Sequence, residues 1–468
     1  MSTLEPVIGL EIHVQLKTRT KLFCGDATDF GAQPNAHVCP VCLGLPGALP
    51  VLNAAAVRLA VRAALGLDCT IHRESVFARK NYFYPDLPKG YQITQFDRPV
   101  ATAGSLEGVR IRRIHLEEDA GKLLHDRLSR RTAIDLNRAG VPLVEIVTEP
   151  DIHSAKQARA FLNRLKQLLQ YLDVSDCDME KGSLRVDANV SLRGPDDARL
   201  GTKTELKNMN SFSNTERALD FEIERQRAIL ATGAAVVQQT LQWDAVHSQA
   251  RPLRSKEESH DYRYFPDPDL PPLILTEAEI ESARSTLPEL PGAKAERFVR
   301  TYELPAYDVD VLIASPDVAD YFERVARRCG DAKAASNWIM TYVLSALNTR
   351  GIRIDELGVP AESLGELIAL VQGGTVSMTA ARRVFVQMQE TGQSPAQLVQ
   401  QLGLTQVSDD EQIALWASEV TAEHADVVAR YRAGEARLFG FLMGELMKKS
   451  QGKADPRRAS EVMRAALG

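Results

Sequence analysis

The chain has 468 residues, 44% of them hydrophobic and 25% charged, and carries a net charge of −6. That length exceeds what one ordinary core organises, so two or three domains are expected. The acidic balance excludes a uniformly basic nucleic-acid binder, no run approaches the roughly 20 apolar residues of a membrane span, and six cysteines are too few for a disulfide framework. The opening Met1-Ser2-Thr3-Leu4-Glu5-Pro6 has neither the basic nor the apolar region of a signal peptide, so a cytoplasmic address is expected.

The first element is a strand. From Val7 to Leu16 the residues alternate strictly, so Ile8, Leu10, Ile12, Val14 and Leu16 point one way and Glu11, His13 and Gln15 the other. A carboxylate and an imidazole two apart on a strand project side by side, as a hard metal site or an acid–base pair requires. A half-buried strand with a solvated face is the plainer alternative. Next come Cys24, Cys39 and Cys42, the last two in Cys39-Pro40-Val41-Cys42 with the spacing of a zinc knuckle. Three thiols leave a tetrahedral site one ligand short, which Asp26 or His37 could supply; packed, idle thiols are the alternative. Cys69, Cys177 and Cys329 are isolated.

Lys80-Asn81-Tyr82-Phe83-Tyr84-Pro85 and Asp261-Tyr262-Arg263-Tyr264-Phe265-Pro266 are aromatic and basic clusters without helical period. Between them, His115-Leu116-Glu117-Glu118-Asp119 places three carboxylates in a row. They repel one another, so a divalent cation or an exposed acidic turn is needed to hold them; Mg²⁺ is bound through one or two carboxylates plus waters and phosphate oxygens. A helix is predicted from Ser154 to Leu172, with Ser154 as N-cap and Ala158, Leu162, Leu165, Leu169 and Leu172 on one stripe. Leu184 to Leu192 again alternates, its polar comb being Arg185, Asp187, Asn189 and Ser191; Asp and Asn are poor strand formers, so this face is expected to line a site. Thr202-Lys203-Thr204-Glu205-Leu206-Lys207-Asn208 is a weaker case, since solvent also selects its Lys/Glu/Lys pattern. Ser213-Asn214-Thr215-Glu216 reads as a capping box opening a second helix.

After Leu287-Pro288-Glu289-Leu290-Pro291-Gly292 nearly every segment is helical in period, with a further break near Gly403 to Asp410. The expected fold class is α+β: a body over 1–290, a helical domain over 291–405 and a small helical tail over 406–468. From Arg430 onward nine Lys/Arg face four Asp/Glu, so the tail is expected to touch polyanions. No phosphate-cradling G-x-x-x-x-G-K-[ST] loop, dinucleotide loop or G-x-S-x-G elbow occurs. Use of ATP would therefore rest on carboxylates and a metal, and any release of ammonia on another polypeptide.

These segments, with Val7–Leu16, Arg79-Lys80-Asn81-Tyr82-Phe83-Tyr84-Pro85-Asp86, His115–Lys122, Gly182–Asn189 and Gly440-Phe441-Leu442-Met443-Gly444, occur in order along the whole chain. Together they resemble the B subunit of the Glu/Asp-tRNA amidotransferase. The resemblance implies a body related to glutamine synthetase and guanidino kinases. It also implies a heterotrimer with an amidase A subunit and a small C subunit. The implied reaction is ATP-dependent phosphorylation of the side-chain carboxylate of mischarged Glu-tRNA(Gln) or Asp-tRNA(Asn), followed by amidation with ammonia. Carried onto this chain, it makes Glu11, His13 and Glu118 Mg²⁺ ligands and catalytic residues together with Lys80. Asn81, Tyr82, Arg185, Asp187 and Asn189 become substrate-binding, and Lys448, Lys449 and Lys453 tRNA-binding. Where many relatives appear to carry Cys-x-Cys, this chain has Cys24-Gly25-Asp26, so the expected structural Zn²⁺ site is Cys24, Asp26, Cys39 and Cys42. A non-catalytic, zinc-stabilised tRNA-binding scaffold is the rival reading.

Overall fold

A computed structural model describes residues 4–126, 131–195, 197, 199–254, 262–406, 409–450 and 452–468. Asp261, which opens the second aromatic cluster, lies outside them. The chain divides into two compact units, Met1–Pro291 and Gly292–Gly468.

In the first unit β1 (Glu5–Gln15) is followed by α1 (Pro40–Leu43), α2 (Ala54–Gly66), β2 (Thr70–Ile71), β3 (Glu74–Ser75), β4 (Ala78–Asn81), β5 (Tyr91–Thr94), β6 (Ala101–Leu106), β7 (Val109–Glu118), β8 (Lys122–Asp126), β9 (Arg131–Asp135) and β10 (Pro142–Thr148). Then come α3 (Ala155–Tyr171), β11 (Leu184–Arg193), β12 (Thr204–Met209), α4 (Phe212–Ala231), β13 (Thr240–Asp244), β14 (Gln249–Arg254), β15 (Phe265–Pro266), β16 (Leu273–Ile274) and α5 (Glu277–Ser285). Nine strands form one sheet in the order β14-β13-β12-β11-β1-β10-β7-β6-β2, antiparallel except where β12 meets β13. A smaller sheet, β15-β4-β5, carries Lys80, Asn81 and Gln92.

The period of two along β1 decides the layering. Ile8, Leu10, Ile12 and Val14 are buried in the same core as Ile114, Leu116, Val144, Ile146, Val186 and Val190 of the neighbouring strands. Helices α2, α3 and α4 contribute to that core and cover that face. The predicted stripe of α3 is borne out: Ala158, Leu162, Leu165, Leu169 and Leu172 are fully buried, and the Ser154 hydroxyl accepts the Gln157 N–H at 3.1 Å. The expected cap of α4 is two residues off. Ser211, not Ser213, caps the helix by accepting the Asn214 N–H at 3.1 Å, and the S-x-x-E pattern falls inside the first turn. The opposite face carries charged and polar side chains, Glu11, His13, Glu145, His115, Glu117 and Arg185 among them, and Gln92 of the small sheet reaches it through Glu117.

The second unit is helical, from a helix at Pro291–Tyr302 to one at Pro456–Leu467, and holds two separate apolar clusters. One gathers Phe298, Phe322, Trp338, Leu364 and Phe385; the other gathers Ile413, Val420, Leu442, Leu446 and Met463. The helical period expected of this region is interrupted by a π-helical stretch at Ile339–Val343. No helix among the described residues is long and apolar enough to cross a membrane.

Ile12 has no exposed surface and lies on the central strand, bonded on both edges. Ile12→Ala is expected to lower the stability of the first unit by about 2–5 kcal/mol, read by urea denaturation.

Candidate active site and metal centre

The register of four strands assembles the charged face. On β1, His13 stands opposite Glu145 of β10 on one side and Arg185 of β11 on the other, and Glu145 in turn stands opposite His115 of β7. Directly opposed residues point to the same face. Glu145 therefore lies between two imidazoles, its Oε2 at 3.3 Å from His13 Nε2 and 3.4 Å from His115 Nε2. Glu117, two residues on from His115, brings its Oε2 to 3.7 Å from His115 Nε2. His115 and Glu117 are each 3% exposed and Glu145 9%, whereas His13 is 20% exposed. Gln92 of β5 holds the other oxygen of Glu117, while Glu117 Oε2 and His115 Nδ1 are buried with no hydrogen-bond partner.

The electrostatics follow from that packing. Burial works against protonation of both imidazoles, but Glu145 beside them, with Glu117 beside His115, raises both above the ordinary histidine value. Burial likewise opposes ionisation of Glu145, and the two imidazoles hold it well below the usual carboxylate range. Lys80, on the small sheet, is held above the usual lysine value by Glu117 and Glu145 in spite of its desolvation. Its ammonium lies over the Tyr262 ring, 5.2 Å from the centroid.

Of the residues singled out from sequence, Glu11 and His13 lie on this face, but only His13 joins the close cluster. Ligand atoms of His13, Glu117 and Glu145 all lie within 4.8 Å of one another, as a divalent cation requires. Glu118 is not brought there. Strand parity sets it opposite Pro142, on the same side as Ile114 and Leu116, where its Oε1 takes the Lys89 ammonium and accepts the Ile93 N–H at 2.9 Å. Glu11 forms a neighbouring set: Asn189 Nδ2 donates to its Oε1 at 3.0 Å, and Lys207 Nζ reaches Asp187 at 2.6 Å. Burial, then Glu145, Glu205 and Asp187, raise Glu11 above the ordinary carboxylate value. Arg185 donates to Asp119 at 2.8 Å and keeps a buried Nε with no partner. Asn81 spends its amide on the carbonyls of Tyr262 and Arg263, and Tyr82 donates its hydroxyl to Gln92 at 3.1 Å.

Glu145, which belongs to no sequence motif, and His115 and Glu117, which stand only within the acidic run, complete the cluster around His13. Each leaves a signal in the sequence. Alternation through Ile114-His115-Leu116-Glu117 puts the histidine and Glu117 together, and Glu145 is a lone carboxylate within Leu143-Val144-Glu145-Ile146-Val147.

The second cluster is built on loops. Cys39 precedes the short α1, which carries Cys42, and both face Cys24 and Asp26. Cys42 Sγ is 3.5 Å from Cys24 Sγ, 3.8 Å from Cys39 Sγ and 2.9 Å from Asp26 Oδ2. Zinc–thiolate bonds of about 2.3 Å in a tetrahedron set sulfur atoms about 3.8 Å apart, so the donor set fits Zn²⁺. His37 is not the fourth donor; it lies outside the cluster. The hydrogen bond from the Cys24 thiol, opposed by burial, brings Cys42 down to about 6. Asp26 is opposed by burial but is held low by hydrogen bonds from the three thiols and by Lys21. All six cysteines are free.

In the tail, Lys448 is 78% exposed, whereas Lys449 is tied to Glu419 at 3.0 Å and to Glu423. Lys453 is half-buried.

Residues 6–281 match the family described as the GatB/GatE catalytic domain, and residues 320–467 match the family described as the GatB domain. Curated relatives span the full chain. The B subunit of the aspartyl/glutamyl-tRNA(Asn/Gln) amidotransferase of Chlorobium phaeobacteroides is 49% identical over 99% of both chains. Its counterparts in Persephonella marina and Moorella thermoacetica are 48% and 49% identical, again over 99% of both. The chain belongs to the family of B subunits of the tRNA-dependent amidotransferase.

Glu145→Gln removes the carboxylate shared by both imidazoles. In metal-free protein the titrations of His13 and His115 are expected to move to lower pH, followed by histidine-selective NMR; unchanged titrations would contradict the row of contacts.

Proposed function

We propose that this chain activates the side-chain carboxylate of Glu-tRNA(Gln) or Asp-tRNA(Asn) with ATP and completes its conversion to the amide with ammonia from a partner amidase. The observation that carries the reading is the buried row His13–Glu145–His115–Glu117 on the charged face of the large sheet, with Lys80 and Arg185 beside it. The relatives, named as B subunits of the aspartyl/glutamyl-tRNA(Asn/Gln) amidotransferase, supply the reaction class. A sheet with helices on its apolar side and charges on the other also suits a carboxylate-phosphorylating fold of the glutamine synthetase and guanidino kinase type.

A carboxylate is a poor acceptor for ammonia because its oxygen is a poor leaving group. In the first step a carboxylate oxygen bonds to the γ-phosphorus of ATP and the bond to the bridging oxygen breaks, releasing ADP. In the second, ammonia attacks the acyl carbon, the bond to the phosphate oxygen breaks with its electrons going to phosphate, and a proton passes from nitrogen to the departing phosphate, leaving the neutral amide. The spreading negative charge must be met by fixed positive groups. A divalent cation such as Mg²⁺, when bound to His13, Glu117 and Glu145, supplies charge neutralisation for phosphate oxygens. Lys80, whose ammonium donates no hydrogen bond among the described residues, and the free Nε of Arg185 are placed to orient anionic oxygens. Glu11, Asp187 and Asn189 form the adjoining polar wall. Glu118 leaves the ligand set, its oxygen being taken by Lys89.

In this reading 1–290 is the catalytic body, 291–405 a helical domain and 406–468 a tRNA-contacting tail led by the exposed Lys448. The working assembly is a heterotrimer with an amidase A subunit and a small C subunit. Cys24, Asp26, Cys39 and Cys42 hold a structural Zn²⁺.

In the complex co-purified with its partners, His13→Ala and Glu145→Gln are expected to lower γ-phosphate release by about 100-fold or more, assayed with mischarged tRNA and ammonium salt. tRNA affinity is expected to stay unchanged. Full phosphate release in both variants, or loss of tRNA binding alone, would favour a non-catalytic scaffold.

A further inference from the structure

The cysteine cluster touches a group that its four donors do not explain. Lys21 has no exposed surface, yet its Nζ lies 3.3 Å from Cys42 Sγ. It donates as well to the carbonyl oxygen of His37 at 2.7 Å and, more weakly, to that of Leu136 at 3.4 Å. A buried ammonium is costly unless an opposite charge faces it. Glu118, Lys89 and Asp269 line the same small cavity as Lys21 and Cys42, but Glu118 is paired with Lys89 and Asp269 with Arg79. The anion that Lys21 faces is therefore the cysteine cluster and its Asp26.

With a dication bound, three thiolates and one carboxylate bring four negative charges against two positive, leaving an excess of two. The Lys21 ammonium halves that excess and gives the Cys42 sulfur a charge-assisted N–H donor, which offsets the repulsion among the ligands. We propose that Lys21 is the buried counter-charge of the metal centre and sets its affinity for zinc, acting as a positioning residue on the ligand set. Its bonds to the His37 and Leu136 carbonyls fasten the same ammonium to the chain ahead of Cys39 and to the turn after β9. The proposal rests on the Cys24–Asp26–Cys39–Cys42 zinc reading above.

The test is a competition titration of the full-length protein with a chromophoric zinc chelator. It compares the wild type, Lys21→Met and the double variant Lys21→Met with Asp26→His. Histidine at 26 removes one negative charge from the ligands, so the double variant regains the charge balance of the wild type. Lys21→Met is expected to bind zinc about 10- to 100-fold more weakly, and the double variant to recover most of that loss. Wild-type affinity in Lys21→Met overturns the proposal. So does a weakened Lys21→Met that Asp26→His does not recover, because a lysine that only ties the two carbonyls is missing from both variants. If Lys21→Met does not fold, the double variant decides: zinc-dependent folding supports the counter-charge, and its absence overturns it. A wild type that binds no zinc sinks the metal centre itself, a result distinct from all of these.

Discussion

Glu145 is a carboxylate placed in the middle of a strand whose neighbours Leu143, Val144 and Ile146 are buried, and the cost of keeping it ionised there constrains the rest of the site. Two imidazoles meet that cost, one from each adjacent strand, and each of them is in turn held by the register of the sheet. A one-residue slip of β1 would send His13 to the apolar face, and one of β7 would send His115 there, each leaving Glu145 buried with one imidazole instead of two. The apolar face prevents the slip, because the same shift would move Ile12 or Leu116 out of the core. Packing on one side of the sheet thus fixes chemistry on the other.

The α+β character of the body and the helical C-terminal part follow from periodicity, and so do particular elements. The stripe of α3 and the alternation of β1 are strong signals because they persist over many residues. The caps were less legible: Ser211 and Ser213 are both acceptable N-caps by type, and only the path of the chain out of β12 chooses between them. The π-helical stretch at Ile339–Val343 is a single widened turn with i→i+5 bonding inside a helical run, and no residue type in the sequence marks it.

The candidate site was legible in its residue types more than in its membership. Glu11, His13, Arg185, Asp187 and Asn189 do share one face, as alternation predicts. Which carboxylates meet His13 depends on strand order, and sequence does not reveal that β10 lies between β1 and β7. Hence no sequence pattern ties Glu145 to His13, and within the acidic triplet strand parity puts Glu117, not Glu118, on the side of His115. The cysteine cluster is the converse case: short-range spacing already brought Cys39 and Cys42 together, and the fold had only to add Cys24 and Asp26. Lys21 belongs to no motif, and burial alone reveals it.

The most direct test of the account is Mn²⁺ binding to the full-length protein by electron paramagnetic resonance, comparing the wild type with Glu145→Gln. The account predicts an Mn²⁺ site in the wild type that Mg²⁺ displaces and that the variant loses, while the zinc content stays the same. Equal Mn²⁺ binding in both proteins would contradict it, because the cation would then lie away from the carboxylate around which the charged face is built.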